Sequence, residues 1–343
     1  MTSALLQGFR LHSSRGNWAP TVEDQWRAII LFGRNVASYK FALAKALLQL
    51  NPAAGSLVKL EDLARPFALE ICEHLQLEDK QATSASSGFL DACRKFNRGE
   101  IDEDKLVALT AAKGFANVID AFHVVGQADV PQRFFDDERK EHRGIRIRDE
   151  FSSLTEGREA QDIPLEVESR WRLVETAWRL GMARSMVVSY EAADGMLLLP
   201  DVSLRRKAVT SSRDALNGYQ QGRCFYCSGP ISLLDEATAA EVDHFFPHAL
   251  KQAGFGVIID GVWNLVLACQ GCNRGASGKF HRVPSIRFLE RLHTRNEYLI
   301  TSHHPLRETL IQQTGNNEVG RRAFLWQMHV RALGSLIHQW EPC

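Results

Sequence analysis

Long apolar runs are missing from this chain. No stretch approaches the length that spans a bilayer, and residues 1–16 lack the apolar core of a secretory leader. These absences argue against a membrane-spanning or exported class and set the expectation of a cytoplasmic protein without a membrane partner. Net charge is missing too: 41 Lys and Arg balance 41 Asp and Glu, so bulk charge gives no argument for nucleic acid. Cysteine is sparse, and seven residues without an export signal do not make a disulfide framework. Neither an internal repeat nor a long low-complexity tract occurs, which leaves no sign of a repeat array.

What is present is ordinary for a globular chain: 343 residues, 45% hydrophobic and 24% charged, enough for two domains or one large one. Charge is unevenly placed. From residue 201 onward 16 Lys and Arg face 12 Asp and Glu, with eight of the twelve histidines, while residues 1–200 carry 25 against 29. The tilt favours a C-terminal half that meets phosphates.

Helical periodicity dominates. Trp26, Ile29, Ile30, Ala37, Phe41, Ala44 and Leu48 fall on one face of an expected helix over 21–50, with Gly33 as a weak point, and the break comes at Asn51–Gly55. Further helices are expected at 60–76, 86–97, 103–113, 115–126 and 165–182. Residues 131–150 are dense in charge, including Arg139, Lys140, Arg143, Arg146 and Arg148, and read as a solvated loop or helix face, with DNA-backbone contact as the second reading. Short apolar runs at 186–190 and 196–199 flank Asp194-Gly195, a hairpin signal. A helix is expected over 202–220, and helical patterns return after 285. In the last of them Phe324, Trp326, Val330 and Leu333 form an apolar stripe, read first as core and second as a homodimer face.

The chemistry concentrates in residues 224–285. Cys224-Phe-Tyr-Cys227 and Cys269-Gln-Gly-Cys272 are two Cys-x-x-Cys pairs with 41 residues between them, a spacing that lets four thiolates converge on one structural Zn²⁺. Cys72 and Cys93, inside helical patterns, read as buried small hydrophobes. Between the pairs lie Glu241-Val-Asp243-His244-Phe-Phe-Pro247 and Trp263-Asn264-Leu-Val-Leu-Ala268, both strand-like. Asn273-Arg274-Gly-Ala-Ser-Gly-Lys279 follows the second pair.

These residues resemble the HNH endonucleases of the ββα-metal fold, in the zinc-knuckle branch with two Cys-x-x-Cys pairs. They are also similar to the HNH domain of RNA-guided nucleases, where Asp-His-x-x-Pro, Asn-x-x-Leu and Asn-Arg-Gly-x-Ser runs occur in this order. The resemblance covers about 60 of the 343 residues, and its third motif letter is Asn273 rather than His. It implies hydrolysis of DNA phosphodiesters to 5′-phosphate and 3′-hydroxyl ends. His244 would be the general base, Asp243 and Asn273 the ligands of a catalytic Mg²⁺, and Asn264 the brace of the loop after the first strand. Arg274 and Lys279 would be phosphate contacts. Glu241 reads first as the partner of a nearby Arg and second as a metal ligand, and His248 and His281 read as bystanders. His303-His304-Pro305 reads as a helix break.

The expected architecture is mainly α with a small α+β insert: a helical recognition or regulatory domain over 1–200, an HNH module over 201–285 and a helical extension over 286–343. The N-terminal part would grip DNA, a protein partner or a signal, in the manner of restriction or anti-phage defence. One base and one catalytic cation address one strand, so a nickase is expected unless two copies pair. The rivals are a zinc-stapled nucleic-acid-binding module without catalysis and an HNH-fold ribonuclease.

Overall fold

The computed structural model describes residues 20–32, 37–83, 87–125, 128–179, 189–191, 196–200, 206–301, 306–336 and 338–342. The fold is mainly α with small sheets, and its described residues fall into two compact units, within Ala19–Gly181 and within Met182–Cys343. No helix among the described residues is long and apolar enough to cross a membrane.

The first unit runs α1 (Val22–Phe32), α2 (Tyr39–Leu50), β1 (Leu57–Lys59), α3 (Leu60–Leu77), α4 (Gly88–Asn97), α5 (Glu103–Lys113), α6 (Val118–Ala121), β2 (Val124–Val125), β3 (Ala128–Asp129), β4 (Phe135–Glu138), α7 (Arg139–His142), β5 (Gly144–Ile147), α8 (Asp149–Glu156) and α9 (Ile163–Arg179). Its core forms on α2, where Phe41, Ala42, Leu43, Ala44, Ala46 and Leu47 are all buried, and which packs on α3 and α9. The single helix expected over 21–50 is two helices. Ala37 bridges to Ala82 and the second helix starts at Tyr39, while the weak point Gly33 lies outside the described residues.

The charge-dense stretch is a hairpin. β4 and β5 pair antiparallel and β1 adds to β5, burying Phe135, Ile145 and Ile147 on alternate positions. Its arginines are matched locally: Arg139 to Asp120 and Asp137, Arg143 to Glu61, Arg146 to Glu138 and Arg148 to Asp136. Strands of three or four residues carry too little period to stand out against such charge.

The second unit opens with β6 (Ser189–Glu191), β7 (Met196–Pro200) and β8 (Arg206–Ser211), antiparallel in that order, with Asp194-Gly195 outside the described residues. The helix expected over 202–220 begins only at Ser212, because residues 206–211 pair with β7, a tertiary pairing that overrides local propensity. There follow α10 (Ser212–Gln220), β9 (Ala240–His244), β10 (Leu265–Cys269), α11 (Gln270–Arg274), β11 (Val283–Pro284), α12 (Ile286–Thr301), α13 (Arg307–Thr314), α14 (Glu318–Ser335) and β12 (Gln339–Trp340). Helices α12 to α14 pack on one another. The buried face of α14 is Arg321, Leu325, Met328, His329 and Ala332. The expected apolar stripe is therefore not core throughout: Trp326 and Val330 are 55% and 53% exposed, and Phe324 meets the Trp263 ring at 4.9 Å.

Candidate active site and metal centre

Four cysteines that are distant in sequence meet in space. The Sγ atoms of Cys224, Cys227, Cys269 and Cys272 all lie within 4.8 Å of one another. Four thiolates about 2.3 Å from one tetrahedral ion would be about 3.8 Å apart, and Cys227 Sγ lies 3.8 Å from Cys269 Sγ. The donor set and spacing therefore fit Zn²⁺.

The backbone is shaped for the same purpose. Ser228 takes a left-handed φ of 61°, which turns the chain so that Gly229 N–H donates to Cys227 Sγ at 3.4 Å, and Cys272 N–H donates to Cys269 Sγ at 3.5 Å. Without an ion, hydrogen bonds to the other three sulfurs and burial push the Cys224 thiol up. Hydrogen bonding from Cys224 holds Cys227 down to about 5 and Cys269 down to about 6. Cys72 and Cys93 are buried, as expected, and Cys343 lies outside the described residues.

The first pair docks on the edge of β10. Phe225 N–H donates to Leu267 O at 2.9 Å, and the buried Gln220 side chain both donates to Leu267 O and accepts from Leu267 N–H, each at 2.7 Å. Arg291 of α12 donates to Phe225 O and Tyr226 O, and Arg295 donates to Leu265 O at 2.8 Å. α12 thus clamps both the cysteine turn and the start of β10.

β9 and β10 pair antiparallel, His244 opposite Leu265 and Ala240 opposite Cys269, and α11 leaves directly from β10. Asn264 is fully buried at the turn into β10. Its Oδ1 accepts from Phe246 N–H at 2.8 Å, and its Nδ2 donates to Phe246 O at 3.0 Å and Ile259 O at 2.8 Å. One amide therefore fixes the chain two residues after His244 and one residue before Asp260. Gly261 follows, where a Cβ would fall 2.3 Å from the Trp263 indole nitrogen, so only glycine fits. Asn264→Ala would leave the Phe246 N–H and two buried carbonyls without this partner. We expect a loss of about 2–4 kcal/mol in the stability of this unit, from the cost of unsatisfied buried groups. Urea unfolding would check it, and an unchanged midpoint would refute the bracing role.

His244 and Asp260 face one another. His244 Nε2 lies 3.5 Å and His248 Nε2 3.9 Å from Asp260 Oδ1, while Lys251 Nζ takes Oδ2. The His244 and His248 rings stand 5.4 Å apart. Burial is the main cause that lowers His244 to about 4, opposed by the Asp260 charge and assisted by His248 and Lys279. Sequence reasoning missed Asp260; its signal was an acid standing between Ile259 and Gly261 in an apolar run.

The other face of β9 carries Glu241 and Asp243. Asp243 is buried, with Oδ2 accepting from the Tyr226 hydroxyl at 2.6 Å and Oδ1 3.0 Å from Lys279 Nζ. Burial pushes its carboxyl up and Lys279 opposes the shift. Asn273 on α11 donates to Glu241 Oε2 at 2.8 Å, and Arg274 pairs with Glu241 Oε1 at 2.5 Å. Glu241 is thus the partner of an Arg, as first read. Lys279, expected to meet phosphate, is fully buried: its N–H donates to Cys272 O and its ammonium to His244 O and Phe280 O as well as to Asp243. Arg274 remains exposed, as does His281, and His303, His304 and Pro305 lie outside the described residues. No protein-family model matches this chain, and neither a curated protein nor a solved structure is significantly similar to it.

Proposed function

We propose that the chain is an HNH-type endonuclease whose active site is built on β9, β10 and α11. The observation that carries this reading is one constellation. An antiparallel strand pair and the helix leaving it carry His244 on one face of β9, Asp243 and Glu241 on the other, Asn264 at the entry to β10 and Asn273 on α11, next to a four-cysteine centre. A binding module stapled by zinc has no need of His244 facing Asp260 or of two acids on the opposite strand face.

The site's own residues divide the work. The His244 imidazole accepts a proton from water as it attacks phosphorus, and Asp260 orients the ring while Lys251 holds the second carboxylate oxygen. Asn264 keeps both on their turns. Asp243, Asn273 and Glu241 carry the hard oxygen donors that Mg²⁺ takes in this reading, but Asp243 is paired with Tyr226 and Lys279 and Glu241 with Asn273 and Arg274, so an ion would have to displace those partners. When bound there, such an ion would supply charge stabilisation at the phosphate. With Lys279 buried, the phosphate contacts in this reading are Arg274, together with His248 and Lys251 on the His244 side.

The test is supercoiled plasmid at limiting enzyme, with Mg²⁺ or with a chelator, beside single-stranded RNA. Open circles that accumulate only with Mg²⁺ are the expected result, since one base and one acid pair address one strand. Linear product formed directly by a protein that light scattering finds monomeric would contradict the single-strand reading. DNA binding without any cleavage would replace the endonuclease with a binding module, and cleavage of the RNA alone would make it a ribonuclease. A role in restriction or anti-phage defence suits such an enzyme, with the first unit gripping DNA, a partner protein or a signal.

A further inference from the structure

Phe280 stands where neither packing nor backbone preference calls for a phenyl ring. It lies on the turn between α11 and β11 with a left-handed φ of 48°, a region that glycine and asparagine enter readily and a bulky side chain enters only under strain. Burial of the ring does not offset that strain, because the side chain is 48% exposed. The turn itself is fixed from several directions. Phe280 N–H donates to Asn273 O at 2.9 Å, Lys279 N–H to Cys272 O at 2.6 Å and Arg282 N–H to Lys279 O at 2.9 Å. The Trp340 indole N–H donates to Ser277 O at 2.7 Å. The buried Lys279 ammonium donates to Phe280 O at 3.3 Å and to His244 O at 3.0 Å. One cation thus holds both the carbonyl of the ring-bearing residue and that of His244. The bond to Asn273 sets the turn against the end of α11, next to Arg274, which is 63% exposed, and the exposed His281 follows Phe280 in the chain.

We infer that Phe280 is a stacking platform for a nucleobase of DNA, with Arg274 and His281 meeting phosphates of the same strand. The physical case has two parts. Backbone strain of this kind persists only where the surroundings over-determine it, and it concentrates at ligand contacts. Here the surroundings hold in place a ring that gains little burial. A rigid, exposed aromatic face also loses little freedom on binding, and every base has a π-face to offer it, so such a contact grips a strand without reading its sequence. A base held there would steady the phosphodiester near His244. That last step rests on the endonuclease reading; the stacking contact requires only that the partner be DNA.

The test is binding of the full chain, in buffer without Mg²⁺ so that the strand stays uncut, to a short labelled oligothymidylate and to an abasic deoxyribose-phosphate strand of the same length. The parental protein should bind the oligothymidylate about tenfold more tightly, the effect of one base–aromatic stack. Phe280→Asn, whose side chain suits a left-handed turn, should lose that preference while Tm stays at or above the parental value. Phe280→Trp, with a wider ring, should keep the preference. Affinity for the abasic strand should be the same in all three proteins, since Arg274 and His281 remain. Equal parental affinity for the two strands would overturn the inference, as would a preference that survives in Phe280→Asn. Loss of the preference together with a marked fall in Tm would make the ring a support of the turn and overturn it too. A ring-dependent preference found with oligouridylate and not with oligothymidylate would replace DNA by RNA as the partner.

Supercoiled plasmid with Mg²⁺ separates this contact from the endonuclease reading. If the parental protein shows the Phe280-dependent preference but nicks no plasmid, the stacking site stands and the endonuclease reading fails. If the plasmid is nicked while Phe280→Asn binds both strands as the parent does, the stacking site fails and the endonuclease reading stands.

Discussion

Replacing His244 with alanine should lower phosphodiester cleavage by about 10²–10⁴-fold, the usual cost of losing a general base. Tm, zinc content and DNA affinity should stay near the parental values. The side chain is well placed for so selective an effect. It is no ligand of the cysteine centre, and the amide that pins its turn is that of Asn264, which bonds to Phe246 and Ile259 and not to the imidazole. Its carboxylate neighbour Asp260 keeps Lys251 when the ring is gone, so no acid is left buried without a cation. The exposed basic groups His248 and Arg274 also remain to meet phosphate. Asp260→Ala should give a smaller loss of rate than His244→Ala, since the base itself stays while the ring and Lys251 lose their carboxylate partner. A plasmid assay in which His244→Ala cleaves at the parental rate would end the mechanism.

The parts of this structure that could be read in advance are those with a local rule. Four thiols in two Cys-x-x-Cys pairs have few uses at this chain length, and they meet as expected. Asn264 fits its role as a brace because an amide at a strand entry bonds in both directions to nearby backbone. Long helices such as α9 and α12 follow from apolar period. Lys279 breaks the rule that lysine stays exposed; it goes inside only because a chain reversal after α11 brings its N–H to Cys272 O. Asp260 becomes functional in appearance only once two short 3-10 turns bring it back to His244 across 16 residues; locally it is marked only as an acid in an apolar run, which does not name its partner. The hairpin of β4 and β5 was hidden for a third reason: its outward positions are ion pairs, so charge masked the alternation beneath.

Replacing Cys224 with alanine should remove zinc and cost the second unit its cooperative unfolding, the largest structural effect expected anywhere in the chain. Thiolate ligation to zinc contributes roughly 10–16 kcal/mol of apparent binding free energy in small zinc domains, and where the site forms only on folding that is folding free energy. Here the loss would spread through named contacts. Cys224 is fully buried, and its sulfur is the one that ties this turn, closed by its backbone N–H on Gly229 O at 2.7 Å, to the other three. That turn carries Phe225 onto Leu267 of β10 and Tyr226 onto Asp243. Cys269→Ala should act alike from the other side, since Cys269 ends β10 and caps α11 through its sulfur. Asp243→Asn and Asn273→Ala make the contrast. Neither touches a sulfur, so zinc content should hold at the parental level while the response of cleavage to Mg²⁺ disappears. Elemental analysis of each purified variant, read beside its thermal unfolding, separates the two classes. Zinc absent from active parental protein would refute the structural role of the centre, and zinc lost from Asp243→Asn would show that the two centres are not separable.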